Sequence, residues 1–379
     1  MSNEQHLIFF NQPDVQAIPG VKVLEESRGW SAPRSTAKFC DDPDFTGRLI
    51  PKIPDKIQQS RFLLLSDHSW FLNGHRWMVN TEKTSFFCDS AIQDERFFEN
   101  LFNTDRDTGL MRAGDKKFSF RSRARKTVKI DSEIGLAVSS EPSNWGSFLF
   151  RIVPKIAWLK AVGVSKLLMY RQFQQQVELA KLLGFSEQSI IPHYPNCDYE
   201  MEAAFIPSQC HTNGALDMFA REVFLGLGRK FHGKSRFGRK IYVSRSGGIA
   251  TASSRRCVNE NELCIALISS GFDIVVPDEL SIFEQIAAFA NADFVVGPAG
   301  AGMFNSVFCR PGTKLIDIES ERHWIYAHCG LFSSLGLDFG IFWGNAISLD
   351  GEPNKIHRPF SVNVPALLSR IRQMESDAC

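Results

Sequence analysis

The chain of 379 residues lacks an excess of either charge: 43 lysines and arginines stand against 42 aspartates and glutamates, for a net charge of +1. A dedicated nucleic-acid binder carries a strongly basic domain, so that class is excluded. Cysteine pairing is missing as well. The nine cysteines (Cys40, Cys88, Cys197, Cys210, Cys257, Cys264, Cys309, Cys329 and Cys379) are odd in number, scattered, and show no Cys-x-x-Cys spacing. A disulfide framework and a structural zinc ribbon are therefore excluded, and reduced thiols in the cytosol are expected. No apolar run reaches the roughly 18 residues of a membrane span. The opening Met1–Gln16 has neither a basic stretch nor a small-residue cleavage site, so no secretory signal is expected. The expected location is cytoplasmic, with peripheral association at the inner face of the membrane left open.

Several signatures of known chemistry are also absent. There is no Walker phosphate loop, no Gly-x-Ser-x-Gly nucleophile elbow and no His-Glu-x-x-His helix. His211, His323 and His328 stand apart in sequence without metal-ligand spacing, so no metal is expected. Asp105-Arg106-Asp107 matches an Asp-x-Asp metal pattern in form, but a charged loop accounts for it better.

What is present is a soluble, globular composition, 44% hydrophobic and 22% charged, long enough for two or three domains. Residues 1–115 are rich in Pro, Asp, Asn and Phe, with short apolar patches and no sustained period, and read as an extension of uncertain fold. From Lys126 onward, short β-branched runs alternate with longer amphipathic stretches, the pattern of βαβ units around a parallel sheet. Strands are expected at Val128–Val138, Lys166–Tyr170 and Ser189–Pro192, with helices at Phe148–Val162 and Phe173–Leu183. After a linking helix at Met218–Leu227 the cycle restarts. Strands Lys240–Ser244, Phe272–Val276, Phe294–Gly297 and Lys314–Ile318 alternate with helices Asn259–Ser270, Ser281–Ala290 and Met303–Cys309, and Val364–Met374 forms a last helix. Asn259 with Glu262, and Ser281 with Glu284, fit helix caps followed three residues later by Glu. These patterns define an α/β protein with two Rossmann-like domains, 116–230 and 231–379, facing across a cleft.

The strongest chemical signal is Phe294-Val295-Val296-Gly297-Pro298-Ala299-Gly300-Ala301-Gly302-Met303-Phe304-Asn305, an apolar strand running into a glycine-rich turn and a helix. Backbone N–H groups there can approach a phosphate at a helix N-terminus. A tight strand-to-helix turn explains the glycines equally well. The second signal is an acid-free basic run, Lys234, Arg236, Arg239, Lys240, Arg245, Arg255 and Arg256. Arg245 follows a strand directly and Arg256 precedes a helix, so these two suit diphosphate binding. Lys234, Arg236 and Arg239 read as a solvated loop. Among carboxylates, Glu262 and Glu284 have capping duties, and Glu260 sits in a first helical turn or reaches a sugar hydroxyl. Asp317 and Glu319 lie where a strand-end acid holds a ribose.

The ordered string Ile241-Tyr242-Val243-Ser244-Arg245, Arg255-Arg256-Cys257-Val258-Asn259-Glu260, Phe283-Glu284-Gln285-Ile286, Gly297-Pro298-Ala299-Gly300-Ala301-Gly302 and Asn305 resembles glycosyltransferase family 61. That family includes plant cell-wall xylosyl- and arabinosyltransferases, animal O-linked N-acetylglucosaminyltransferases and bacterial capsular-polysaccharide proteins. The resemblance spans residues 126–345 and is most specific over 240–320. It implies a GT-B fold and inverting transfer from a nucleotide sugar, a UDP-sugar in most members, without a cofactor or an obligatory metal. It further implies that Arg245, Arg256, Asn259, Glu284, Gln285, Ala299, Gly300, Ala301, Gly302, Asn305 and Asp317 bind or support the donor. Glu260 and Ser147 would serve catalysis, and Asn144 and Trp145 would meet an oligosaccharide or polysaccharide acceptor. Two departures stand out: Ala299 occupies a position where the family carries His, and so does Ser147. The function so implied is a glycosyltransferase of surface or capsular polysaccharide biosynthesis. A non-catalytic sugar-nucleotide or glycan-binding subunit and a GT-B nucleotide-sugar epimerase are the alternatives.

Overall fold

The computed structural model describes residues 126–376 except 140, 195, 213, 247–254, 322–324 and 348–357, and before them only 6–7, 20–26, 35–41, 61–65, 70–73, 77–80, 85–88, 110–114 and 117–120. Asp105-Arg106-Asp107 and His323 lie outside the described residues. The chain forms two compact units, Met1–Gly29 with Gln58–Cys210, and Trp30–Ile57 with His211–Cys379.

The first unit holds two sheets. In the six-stranded one, Ile190–Pro192, Leu167–Met169, Ile134–Ala137 and Ala204–Pro207 run parallel, and Arg61–Leu65 and Val21–Glu26 extend the edge antiparallel. Ile134–Ala137 is buried at every position, as a parallel strand covered on both faces must be. The eight-stranded sheet includes Cys197–Met201, whose alternating burial puts Cys197, Tyr199 and Met201 into a core with Leu72, Ile130 and Leu136. The expected extension over 1–115 is therefore not a separate body. Arg61–Leu65 pairs with Ala204–Pro207, and Trp70–Asn73 pairs with Cys197–Met201. Such short strands have no fold of their own and become legible only beside partners far along the chain.

The helix expected at Phe148–Val162 begins earlier and changes pitch. Trp145–Ser147 is α-helical, Phe148–Ile152 takes the wider π form, and Val153–Ala161 is again α-helical. Pro154 has no N–H to give back along the helix, and the wider turn accommodates that gap, with Val153 N–H bonding the Phe148 carbonyl.

The second unit is a doubly wound domain. Its strands are β1 (Lys240–Val243), β2 (Asp273–Val275), β3 (Phe294–Pro298), β4 (Lys314–Glu319) and β5 (Asp338–Trp343), all parallel in the order β2-β1-β3-β4-β5. Helices α1 (Met218–Phe231), α2 (Glu260–Ser269), α3 (Ile282–Asn291), α4 (Ile325–Leu335) and α5 (Val364–Ser376) flank it. Leu263 and Leu267 of α2 and Leu367, Ile371 and Met374 of α5 pack with Tyr242, Val296 and Ile316 of the strands. On the other side, α1 packs on α3 and on the 3₁₀ helix Ala301–Phe308. That packing is why α1 belongs to this unit, and why the unit boundary falls at 210/211 rather than near 230.

Candidate functional site

In a sheet of this order the chain leaves β1 toward β2 on one side and resumes at β3 on the other, which opens a crevice at the carboxyl ends of β1 and β3. Two of the sequence signals meet there. Arg245 follows β1 and the glycine-rich turn follows β3. The strands approach closely: a Cβ on Gly297 would stand 2.6 Å from Met303 Sδ and 2.9 Å from Val243 Cβ. Gly300 has φ of 150° and ψ of −168°, a conformation closed to other residues without strain. A Cβ there would lie 3.1 Å from Arg245 Nη1 and 3.5 Å from Arg255 Nη2. Two guanidinium groups thus lie against one bare backbone turn.

Arg245 Nη1 donates to the Ala299 carbonyl at 3.2 Å. Its burial, followed by the neighbouring charge of Arg255, pulls its pKa down to about 10, which leaves it cationic at neutral pH. Arg255 is also lowered by burial, while Glu319, Glu321 and Asp317 oppose the shift. Arg256, the arginine singled out from the sequence, is exposed, and the guanidinium beside the turn is that of Arg255. Adjacent residues before a helix point in different directions, and sequence position alone does not distinguish them.

The turn does not start a regular α-helix at Met303. A 3₁₀ helix runs from Ala301 to Phe308, opened by Met303 N–H bonding the Gly300 carbonyl at 3.0 Å. The N–H groups of Gly300, Ala301 and Gly302 precede that first bond, at the end of the helix where donors lack intrahelical partners. Below the turn, Asn305 donates to Gln285 Oε1 at 3.1 Å, and Gln285 donates to the carbonyls of Pro277 and Leu280. Both side chains are buried and hold the turn from beneath.

Glu260 is bound into the scaffold. Its Oε1 accepts from Tyr242 Oη at 3.1 Å, Ser244 Oγ at 2.9 Å and Arg245 N–H at 3.2 Å. Burial and then the Glu260 charge push the Tyr242 hydroxyl far above its ordinary pKa, so it remains a donor. Asn259 does not cap α2 as expected; it exchanges two 2.9 Å hydrogen bonds with the backbone of Val362. Its amide has a complete backbone partner across the domain, and it takes that in place of its own helix end. Glu284 does cap α3, closing a reciprocal box with Ser281, and it also pairs with Arg236 at 3.4 Å on the surface. Its carboxylate is thereby engaged away from the crevice.

Asp317 and Glu319 both lie on β4, and here the structure corrects the expectation of isolated histidines. Asp317 Oδ2 meets His328 Nδ1 of α4 at 2.7 Å, and these two with Glu319 bring three donor atoms within 4.8 Å of one another. Burial, then the Asp317 charge, raises the Glu319 carboxyl well above its ordinary pKa.

In the first unit Asn144 caps the helix by accepting from Ser147 N–H at 3.1 Å. Ser147 Oγ donates to Glu141 at 3.0 Å, and the Trp145 ring stacks on Phe148 with centroids 5.8 Å apart. A separate cavity of about 650 Å³ opens at the opposite, N-terminal edge of β1, β3 and β4. There Arg239 and Arg310 share Asp293, Lys240 pairs with Glu375, and Lys314 donates to the Glu375 carbonyl.

Fold and site define the class: an α/β protein with two guanidinium groups set against a glycine turn at the switch point of a doubly wound sheet. The Glycosyltransferase 61 family model matches residues 145–316, and that stretch is similar to the family. The match reaches from the capped helix of the first unit into β4 and stops one residue before Asp317. No curated protein matches the chain. No helix among the described residues is long and apolar enough to cross a membrane.

Proposed function

We propose that the protein is an inverting glycosyltransferase of the GT-B class that transfers a sugar from a nucleoside-diphosphate sugar, a UDP-sugar in the first instance, to a glycan acceptor. One observation carries this reading: Arg245 and Arg255 lie against the Gly300 turn at the switch point of the sheet. In such a transfer, negative charge grows on the departing diphosphate. Fixed guanidinium groups and unsatisfied backbone N–H groups stabilise that charge without reorganising. Glu260 takes a positioning part, fixing the end of β1 and hence Arg245, and Gln285 and Asn305 support the turn from below. Two units, each with parallel strands at its centre, suit a GT-B enzyme. The nucleotide would bind the second unit; Asn144, Trp145 and Ser147 remain the candidates for the acceptor side, and a surface or capsular polysaccharide the candidate product.

A second reading rests on Ala299 and Ser147, which remove the imidazole groups a base would need, and on Glu260, whose Oε1 already accepts three hydrogen bonds. It makes the protein a sugar-nucleotide-binding subunit without transfer. Calorimetry with UDP, GDP and CMP, followed by mass spectrometry of free nucleotide released from the matching sugars, separates the two. Binding with release supports transfer, and binding without release supports the subunit. Arg245→Ala should weaken nucleotide binding at least tenfold, because a bound diphosphate loses a buried cation; unchanged affinity would remove the crevice from both readings.

A further inference from the structure

Behind the glycine turn lies a second cluster, whose Asp317 and Glu319 the sequence offers to a donor ribose and whose geometry points elsewhere. Asp317 and Glu319 are two residues apart on β4, so both side chains leave the same face of the sheet, opposite the core side taken by Ile316 and Ile318. α4 brings His328 to that face. One ring nitrogen and one oxygen from each carboxylate lie within 4.8 Å of one another, and the three residues are 0%, 2% and 0% exposed. The surroundings are apolar: the imidazole sits between Phe304, with centroids 4.8 Å apart, and Phe332, at 5.4 Å.

Two carboxylates in such a place require compensation. Arg255 contributes one positive charge from the direction of the turn, and His328 meets only one oxygen of Asp317. Asp317 Oδ1 and Glu319 Oε1 are buried with no hydrogen-bond partner among the described residues. Leaving a charged acceptor buried and unsatisfied is among the larger penalties a fold can carry. A hydrogen bond from a neutral group would satisfy one such oxygen, whereas one cation reaches both carboxylates and the imidazole together.

We propose that Asp317, Glu319 and His328 hold one divalent transition-metal cation that ties the end of β4 to α4. The donor set of two carboxylates and one imidazole nitrogen favours zinc or manganese over calcium and magnesium, which prefer oxygen alone. Enclosure of all three residues leaves no face open to substrate, so the ion is structural, and the transfer chemistry does not pass through it. The site stands apart from the donor reading: a chain that binds no nucleotide can still hold the ion. Asp317 also lies outside the stretch matched by the family.

The test uses the full chain, stripped with chelator and titrated with zinc, manganese, magnesium and calcium chlorides by calorimetry, with the thermal midpoint followed in parallel. The expected result is about one equivalent of zinc or manganese per chain, a rise in midpoint of several degrees, and weak or no response to magnesium and calcium. Glu319→Gln, which keeps the shape of the side chain, should weaken binding at least tenfold. Should that variant fail to fold by circular dichroism, cobalt added to the stripped wild type serves instead, and visible absorption bands with nitrogen and oxygen ligation are expected. Equal binding by wild type and Glu319→Gln would overturn the proposal, as would a wild type with no equivalent bound, an unmoved midpoint, or no cobalt spectrum. In those cases a proton shared between Asp317 and Glu319 is the compensation.

Discussion

Gly300 is the residue on which the crevice depends most directly, because its backbone conformation and the space above it both exclude a side chain. Gly300→Ala would strain the backbone by roughly 1–3 kcal/mol and press a methyl group toward Arg245 and Arg255. Gly302→Ala meets only side-chain carbons, Val243 Cγ1 at 3.3 Å and Pro277 Cγ at 3.8 Å. Nucleotide affinity measured by calorimetry should therefore fall at least tenfold further in the first variant than in the second, and equal losses would show that the turn is not the cradle. At this scale the sequence was informative where a residue type has few uses. Gly300 and Arg245 were legible because glycine after a strand and arginine at a strand end carry specific physical meanings. The sequence favours Arg256 over Arg255 and a cap at Asn259, and the structure differs on both, because side-chain direction depends on neighbours that come from elsewhere in the chain. The grouping of His328 with Asp317 and Glu319 was invisible for the same reason: β4 and α4 must pack before the three meet.

At the scale of elements, periodicity located β1 to β4 and helices α1, α2, α3 and α5 within a few residues, since each buries a regular apolar face against the same sheet, whereas α4 and β5 carried no such reading. Pitch was not legible. The π turn at Phe148–Ile152 and the 3₁₀ helix at Ala301–Phe308 follow from Pro154 and from the opening geometry at Gly300, and both leave the apolar pattern unchanged. The α3 cap was legible because Ser281 and Glu284 satisfy each other locally. Ser281→Ala should cost about 1 kcal/mol at neutral pH. Hydrogen bonds from the Ser281 side chain and backbone, aided by Arg236, hold the Glu284 carboxyl below its usual pKa. A lowered folded-state pKa gives stability that is present above the ordinary carboxylate range and fades as pH falls through the lowered value. The gap between wild type and Ser281→Ala, read as the difference in urea midpoint, should thus be larger at pH 7 than at pH 3. A gap independent of pH would show that the carboxylate takes no part in the cap.

For the whole molecule, two separate hydrophobic clusters, one around Tyr199 and Met201 and one around Tyr242 and Ile316, accompany the division into two units. Scanning calorimetry should resolve two unfolding steps, and a nucleoside diphosphate should raise the step of the second unit while leaving the other in place. A nucleotide that moves only the first unit's step would contradict the assignment of the donor to the second. The sequence showed two successive α/β sets but misjudged their border and the role of the first 115 residues, because segments from that stretch enter both units.

One such segment has a consequence for how the protein is made. Residues 35–41 run along the outer edge of β5: Lys38 N–H bonds the Phe339 carbonyl, Ile341 N–H bonds the Phe39 carbonyl, and Cys40 bridges Ile341. The Phe39 ring lies where Gly340 has no side chain, and Arg370 of α5 clasps Asp41 across a sequence separation of 329 positions. A ribosome delivers this strip long before the edge it covers. During synthesis the strip therefore waits without its partner until β5 and α5 have been added, and only then can the edge of the second unit close. Closing this edge is a contact of very long range, and it joins segments that local periodicity alone would never place side by side.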